Sequence, residues 1–320
     1  MKLNNFQPLT GRLSVTHYLR ASGADADGFL QGQLSSDLRL LSDSRAQISS
    51  YNSPKGRMLA LPHLIRHDGS ILIEIHSSVA AATLKRLRMF VLRAKVVLDD
   101  ASAALQSLAV VGAGAEALLR DAGLPAPAAP LDTALDAARQ IRVVRRLGSA
   151  PRYSLIGAPD ALAALPFAVS GDDLDSAWRR ADIEAGVPIV CAQTSDHFVP
   201  QMANLDRLGG ISFDKGCYTG QEIVARLHYL GQLKRRLFVA RFDGAPVAPG
   251  SEIRMAESHA EVGEVVDAVA DGAGSVASVV LQLAHAQRED LQLPDGRRIA
   301  IRTIDGIAEP SVGTPPPIET

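Results

Sequence analysis

The sequence predicts an α+β protein of more than one domain, ending in a small antiparallel barrel or sandwich. Three observations carry this. The first hundred residues alternate helical and strand periodicities, a second alternating unit begins near Leu105, and after Arg236 only short strand patterns remain. A chain of 320 residues is also long for a single core, so two or three domains are expected.

Gly23-Ala24-Asp25 opens a segment in which Phe29, Leu30, Leu34, Leu38 and Leu41 fall on one helical face. Ile48 to Tyr51, Met58 to Ile65 and Ile71 to Ile75 read as strands, the last two joined by a hairpin at His67-Asp68-Gly69-Ser70. Val79 to Lys95 is helical, with Leu84, Leu87, Phe90 and Val91 on one side and its basic residues on a solvated face. In the second unit Leu108 to Val111 is a strand and Ala115 to Ala122 a short helix. Gly123 to Pro130 is a loop, because its prolines rule out a helix interior. Ile141 to Arg146 and Tyr153 to Ile156 are strands, and Asp172 to Ala185 returns to helix. Five strand-like runs follow, Leu237–Phe242, Glu252–Met255, Val262–Val269, Ser275–Leu283 and Arg298–Ile304, which is the spacing of a small antiparallel barrel or sandwich. The tail from Glu309 has the composition of a disordered segment.

Composition excludes several classes. A net charge of −2 lacks the basic footprint of a dedicated nucleic-acid binder. No stretch approaches the ~18 uninterrupted apolar residues of a membrane span. The first residues carry no secretory signal, so a reducing cytoplasm is expected, with Cys191 and Cys217 as thiols. Two cysteines cannot alone hold an iron–sulfur cluster. The histidines are scattered, and His63 and His67 sit about 13 Å apart in a strand, so no metal site is expected. Ser195-Asp196-His197 is contiguous and forms no simple triad, and the pairs Asp99/Asp100 and Asp172/Asp173 read as turn starts or helix caps.

The stretch Leu208 to Gly231, LGGISFDKGCYTGQEIVARLHYLG, is where chemistry concentrates. Its glycines break any regular element until Gln221 to Tyr229, which is helical, capped by Gly220 or Thr219 with Glu222 in the first turn. Cys217 lies just upstream of that helix and two residues from Lys215, neighbours that favour a thiolate. A lone cysteine among glycines is otherwise a small packing residue. The spacing is not that of a P-loop.

Lys215-Gly216-Cys217-Tyr218-Thr219-Gly220-Gln221-Glu222, followed by Ile223 to Arg226 and Lys234 to Leu237, resembles the signature of the YgfZ family. Ile183 to Pro188, Phe198 to Gln201, Asn204-Leu205 and Gly209 to Phe213 match further family segments. So do Phe29 to Gln33 with Asp37, and Pro54 to Met58. The resemblance covers nearly the whole chain up to Leu237.

It implies the fold of the glycine-cleavage aminomethyltransferase: two interleaved α+β lobes and a C-terminal antiparallel β-barrel around a tetrahydrofolate channel. The first lobe would be discontinuous, residues 1–103 and 169–236, with 104–168 inserted as the second lobe, 237–308 as the barrel and 309–320 as the tail. Glu184 matches the carboxylate that recognises the pterin, and Trp178 a folate-contacting aromatic; a second such aromatic would fall at Thr16, beside His17 and Tyr18. The acid that the transferases use after the position of Gly56 is replaced here by Leu59-Ala60-Leu61, and leucine can neither take a proton nor stabilise charge. The resemblance therefore implies a monomeric protein that binds tetrahydrofolate or a one-carbon derivative and supports iron–sulfur cluster assembly or repair in client enzymes, including tRNA-modifying radical enzymes. Cys217 would be the reactive thiol and Lys215 the group lowering its pKa, with Gly216, Tyr218, Thr219, Gly220, Gln221 and Glu222 shaping the loop. A folate-dependent aminomethyl or one-carbon transferase is the alternative, and a docking protein on an inherited scaffold a third reading. Arg226, Lys234, Arg235, Arg236 and Arg241 read first as a solvated strand-and-helix face, with direct tRNA binding as the alternative, and Cys191 reads as structural.

Overall fold

A computed structural model describes residues 8–168, 170 and 173–304; the tail expected to be disordered lies outside the described residues. Most strands gather into three larger sheets. The first has the order Gln47–Ile48, His63–His67, Ser70–His76, Thr16–Ser22, Val97–Asp100, all antiparallel. Its hairpin closes as expected: Asp68 and Gly69 both take positive φ (46° and 65°), the two-residue turn whose twist matches the flanking strands. The run Met58 to Ile65 is cut in two, because Pro62 supplies no N–H; Met58–Ala60 pairs with Tyr51–Asn52 and His63–His67 joins the first sheet. Ile48 to Tyr51 is divided as well, between the first sheet and that small pair.

Helix Ser77–Met89 packs on this sheet through Val79, Ala80, Thr83 and Leu87. It stops six residues before Lys95, where Arg88 donates to the Leu98 carbonyl (2.9 and 2.6 Å) and ties the helix end to the returning strand. The leucine face from Phe29 to Leu41 is only partly helical. Ala26–Gln31 is the helix; Leu34, Leu38 and Leu41 reach the same core from a loop and a 3₁₀ turn, which Asp37 starts by accepting from the Arg39 amide.

The second sheet runs Leu9–Gly11, Gln106–Val111, Arg152–Gly157, Ile141–Arg145, Thr133–Asp136, with helices Ala115–Asp121 and Pro159–Ala163. Its outer strand Leu9–Gly11 comes from the N-terminal segment.

The C-terminal strands correct the expected barrel. They form a curled six-stranded sheet, Leu291–Gln292, Glu252–Met255, Glu261–Asp271, Gly274–Gln282, Arg235–Asp243, Ala300–Arg302, that is not closed. Bulges near Ile253 and Val265 bend it. The edge strands have only two and three residues, and between them Leu291–Leu293 and Arg297–Ile299 form a short hairpin around the bridge of Gln292 with Arg298, not a ladder between the two edge strands. Helix Asp173–Glu184 lies between the second sheet and this curled sheet. One core cluster, including Ile48, Met58, Ile183, Phe198, Val224, Leu237 and Val266, joins parts of the first hundred residues, the motif region and the curled sheet. Among the described residues no helix is long and apolar enough to cross a membrane.

Candidate functional site

The motif loop is built on a buried cation. The Lys215 ammonium donates to the carbonyls of Gln31, Leu34 and Ser36 (2.7, 2.6 and 2.8 Å) and lies 5.1 Å from the centre of the Tyr218 ring. An ammonium has three N–H groups, and all three are used. Burial pulls Lys215 down to about 8 and pushes the Tyr218 hydroxyl up to about 12. Lys215 therefore anchors the loop, and its donors go to the Phe29–Asp37 segment rather than to the thiol. Cys217 is exposed, and three residues separate it from the first residue of helix Gln221–Tyr229. The helix begins as expected, with Gly220 as N-cap and Glu222 in its first turn, while the Gln221 side chain accepts from the Tyr218 amide (3.3 Å).

Two glycines lock this loop to the Pro54–Met58 segment. Gly220 has φ of 80°, and a Cβ there would stand 2.5 Å from the Ser53 carbonyl oxygen; Gly56 has φ of 70°, and a Cβ there would stand 2.8 Å from Cβ of Ile223. Gly216 is open, and Thr219 is half-buried. Three sequence segments that resemble the family thus converge on one place.

A separate cleft is lined by Thr16, Leu61, His63, Glu74, Arg146, Trp178 and Asp182, among others. Tyr18 donates to Glu74 Oε2 (2.7 Å), and Arg146 Nη2 pairs with Glu74 Oε1. Burial, then the charge of Glu74, raises the Tyr18 hydroxyl well above its ordinary value. Burial, aided by Arg146 and Arg152, pulls His63 well below its own, so the ring is neutral near pH 7. The guanidinium groups of Arg152 and Arg146 stand 4.9 and 5.7 Å from the centre of the Trp178 ring. Arg152 also pairs with Asp182. Arg146 Nη1 is buried and has no hydrogen-bond partner among the described residues.

Of the expected folate contacts, Trp178 and the Thr16 position line this cleft, and Glu184 does not. Its carboxylate is held by Arg241 (2.6 Å) and Arg302 of the curled sheet. Helical geometry accounts for the difference. At about 100° per residue, Trp178 and Asp182 are about 40° apart, whereas Trp178 and Glu184 are about 120° apart. Glu74, Arg146, Arg152 and Asp182 were not anticipated. Glu74 had one visible signal, a lone acid inside the apolar run Ile71 to Ile75. None of residues 215–222 lines the cleft. Cys191 is buried. Among the described residues no group of three His, Cys, Asp or Glu is placed to hold a metal ion.

This fold resembles that of a glycine-cleavage aminomethyltransferase. The crystal structure of glycine cleavage system aminomethyltransferase T from Bartonella henselae superposes with a TM-score of 0.72, covering 95% of this chain and 87% of that one at 18% identity. Over 230 residues the chain is 34% identical to the tRNA-modifying protein YgfZ of Colwellia psychrerythraea, covering 71% of this chain and 69% of that protein. Over 266 residues it is 35% identical to the tRNA-modifying protein YgfZ of Edwardsiella ictaluri, covering 79% and 78%. The chain belongs to the YgfZ family. No family model matches it.

Proposed function

We propose that this chain binds tetrahydrofolate, or a one-carbon derivative of it, in the cleft beside Trp178, and supports assembly or repair of iron–sulfur clusters in client enzymes, tRNA-modifying radical enzymes among them. The observation that carries the folate reading is the unpartnered Nη1 of Arg146 in a cleft that also offers Trp178 and two carboxylates. A buried donor without a partner is costly unless a ligand supplies the acceptor. The ring edge of a pterin presents a carbonyl oxygen beside N–H groups, which suits Arg146 as donor with Glu74 and Asp182 as acceptors. Trp178 offers a face for stacking once a guanidinium moves aside. Bound folate would supply a carrier for one-carbon units; the chain's own residues orient it and shield it from water. Glu184, held by two arginines, fixes helix Asp173–Glu184 to the curled sheet and is not a pterin contact in this reading. Cys217 is the reactive centre toward clients, with exposure as its supporting feature, and the tRNA-modifying name of the relatives is consistent with such clients. A one-carbon transferase is the second reading. It draws on Glu74 and Asp182 as cleft carboxylates, but each is already engaged by an arginine, and of the stretch Leu59-Ala60-Leu61 it is Leu61 that lines the cleft.

The test titrates tetrahydrofolate against Trp178 fluorescence. Saturable quenching is expected in wild type and in Glu184→Ala, with at least tenfold weaker binding in Arg146→Met. No response in wild type would remove folate from the function. In cells lacking the chain, Cys217→Ala should fail to restore a cluster-dependent enzyme; full restoration would remove the thiol.

A further inference from the structure

Beyond that function, the helix that follows the motif loop carries a surface suited to single-stranded nucleic acid. From Ile223 to Phe242 there is no acidic residue and there are five lysines and arginines. Arg236 is paired with Asp206 (2.7 Å) and Arg241 with Glu184 and Asp271, so these two are structural. Arg226, Lys234 and Arg235 have no ion-pair partner among the described residues. Helix Gln221–Tyr229 and the segment before it also carry an aromatic group, in a chain that is only 4% aromatic. Phe213 stacks on His228 with ring centres 3.7 Å apart and planes 12° from parallel, and Tyr229 stands edge-on to His228 at 4.7 Å. Tyr229 is 62% exposed, and helix Gln221–Tyr229 buries Val224 alone.

We infer that this face binds single-stranded nucleic acid, its bases stacking on Tyr229 and the His228–Phe213 pair and its phosphates meeting Arg226, Lys234 and Arg235. Flat rings with unpaired cations suit unstacked bases on a charged backbone, whatever the base sequence. A protein partner is less well served: Ile223, though 39% exposed, turns its Cβ toward Gly56, and Leu230 is the one fully turned-out aliphatic side chain of the helix end. The other basic run, Lys85 to Lys95, lacks the platform. There Arg86 covers Phe90 (5.8 Å), and the exposed neighbours Met89, Leu92 and Val97 are aliphatic.

The experiment is fluorescence anisotropy of the full chain with a labelled single strand of ~12 nucleotides, as RNA and as DNA, and with the matching duplex. Three phosphate contacts predict a log–log salt slope of about −2, so affinity should fall roughly twentyfold between about 50 and 200 mM salt. Tyr229→Ala should weaken binding about tenfold while Tyr229→Phe, which keeps the ring, retains it. Lys234→Gln with Arg235→Gln should flatten the slope by about 1.4. Lys85→Gln with Arg93→Gln changes net charge equally and should leave affinity and slope unaltered. Preference between RNA and DNA then tells which strand the surface takes. Tight binding of the duplex, or an equal loss in the Lys85/Arg93 control, overturns the platform. No binding of either strand by a chain with wild-type circular dichroism assigns these rings to a protein partner and overturns the proposal.

Discussion

Lys215 is a cation whose surroundings work in two directions. Burial, with Arg39 adding to it, disfavours its charge, while the carboxylate of Asp37 favours it, and Lys215 lies at about 8 against an ordinary 10.5 even as it donates to three carbonyl oxygens at 2.6–2.8 Å. The consequence for stability has a definite sign. Between about pH 8 and the ordinary lysine value the unfolded chain binds this proton and the folded chain does not, so unfolding becomes harder as pH rises through that window. Below pH 8 both states are protonated and the contribution is flat at its least favourable level. Lys215→Met has no such group. The stability of wild type minus that of the variant, from urea unfolding at pH 7.5, 9 and 10, should therefore grow with pH. A constant difference would mean that the carbonyl cage holds the proton at its ordinary value. The same residue shows what sequence adjacency conceals: two positions from Cys217 in the chain, its ammonium is committed to a different segment.

At the scale of elements, the contact between the 53–56 turn and the start of helix Gln221–Tyr229 needs both glycines. Gly220→Ala places a Cβ against the Ser53 carbonyl in a left-handed conformation and should cost on the order of 2 kcal/mol. Gly216→Ala, with nothing within 4 Å of its Cβ, should stay within about 0.5 kcal/mol. Urea midpoints of the two variants check this, and equal losses would show that the loop is not locked at Gly220. Local signals of this kind were legible in the sequence: helix Gln221–Tyr229 was anticipated to the residue, as was the 67–70 hairpin. Strand patterns also marked most of the sheets. What the sequence did not disclose depends on distant pairing. The period of two in the last strands is common to a closed barrel and a curled sheet, and only edge length and bulges decide between them. The cleft was hidden for the same reason. Glu74 lies in the first sheet and Arg146, 72 residues on, just past strand Ile141–Arg145 of the second, and no periodicity joins them.

Over the whole molecule, helix Asp173–Glu184 is the joint. One side buries Leu174 and Trp178 against Ala109 and Val111 and pairs Asp182 with Arg152, fixing the second sheet. The other sends Arg179 to Asp267, Arg180 to Asp271 and Glu184 to Arg241 and Arg302, fixing the curled sheet. Asp267 is the buried member of this second set, and burial raises its carboxyl above the ordinary value despite Arg179. A charge so placed holds sheet to helix only while its partner is present, and removing one partner of a buried pair costs about 3–5 kcal/mol; the partial exposure of Arg179 puts this case at the lower end. The single tryptophan makes the coupling measurable, since Trp178 reports the cleft side of the joint while far-ultraviolet circular dichroism reports all sheets together. In wild type the two urea transitions should coincide, as one cooperative unit requires. In Asp267→Ala the dichroism should begin to change at lower urea than the fluorescence, because the curled sheet is released while Trp178 stays packed on the second sheet. If the transitions remain superimposed in the variant, the hydrophobic cluster around Ile183 and Val266, and not the ion pairs, is what joins the sheets.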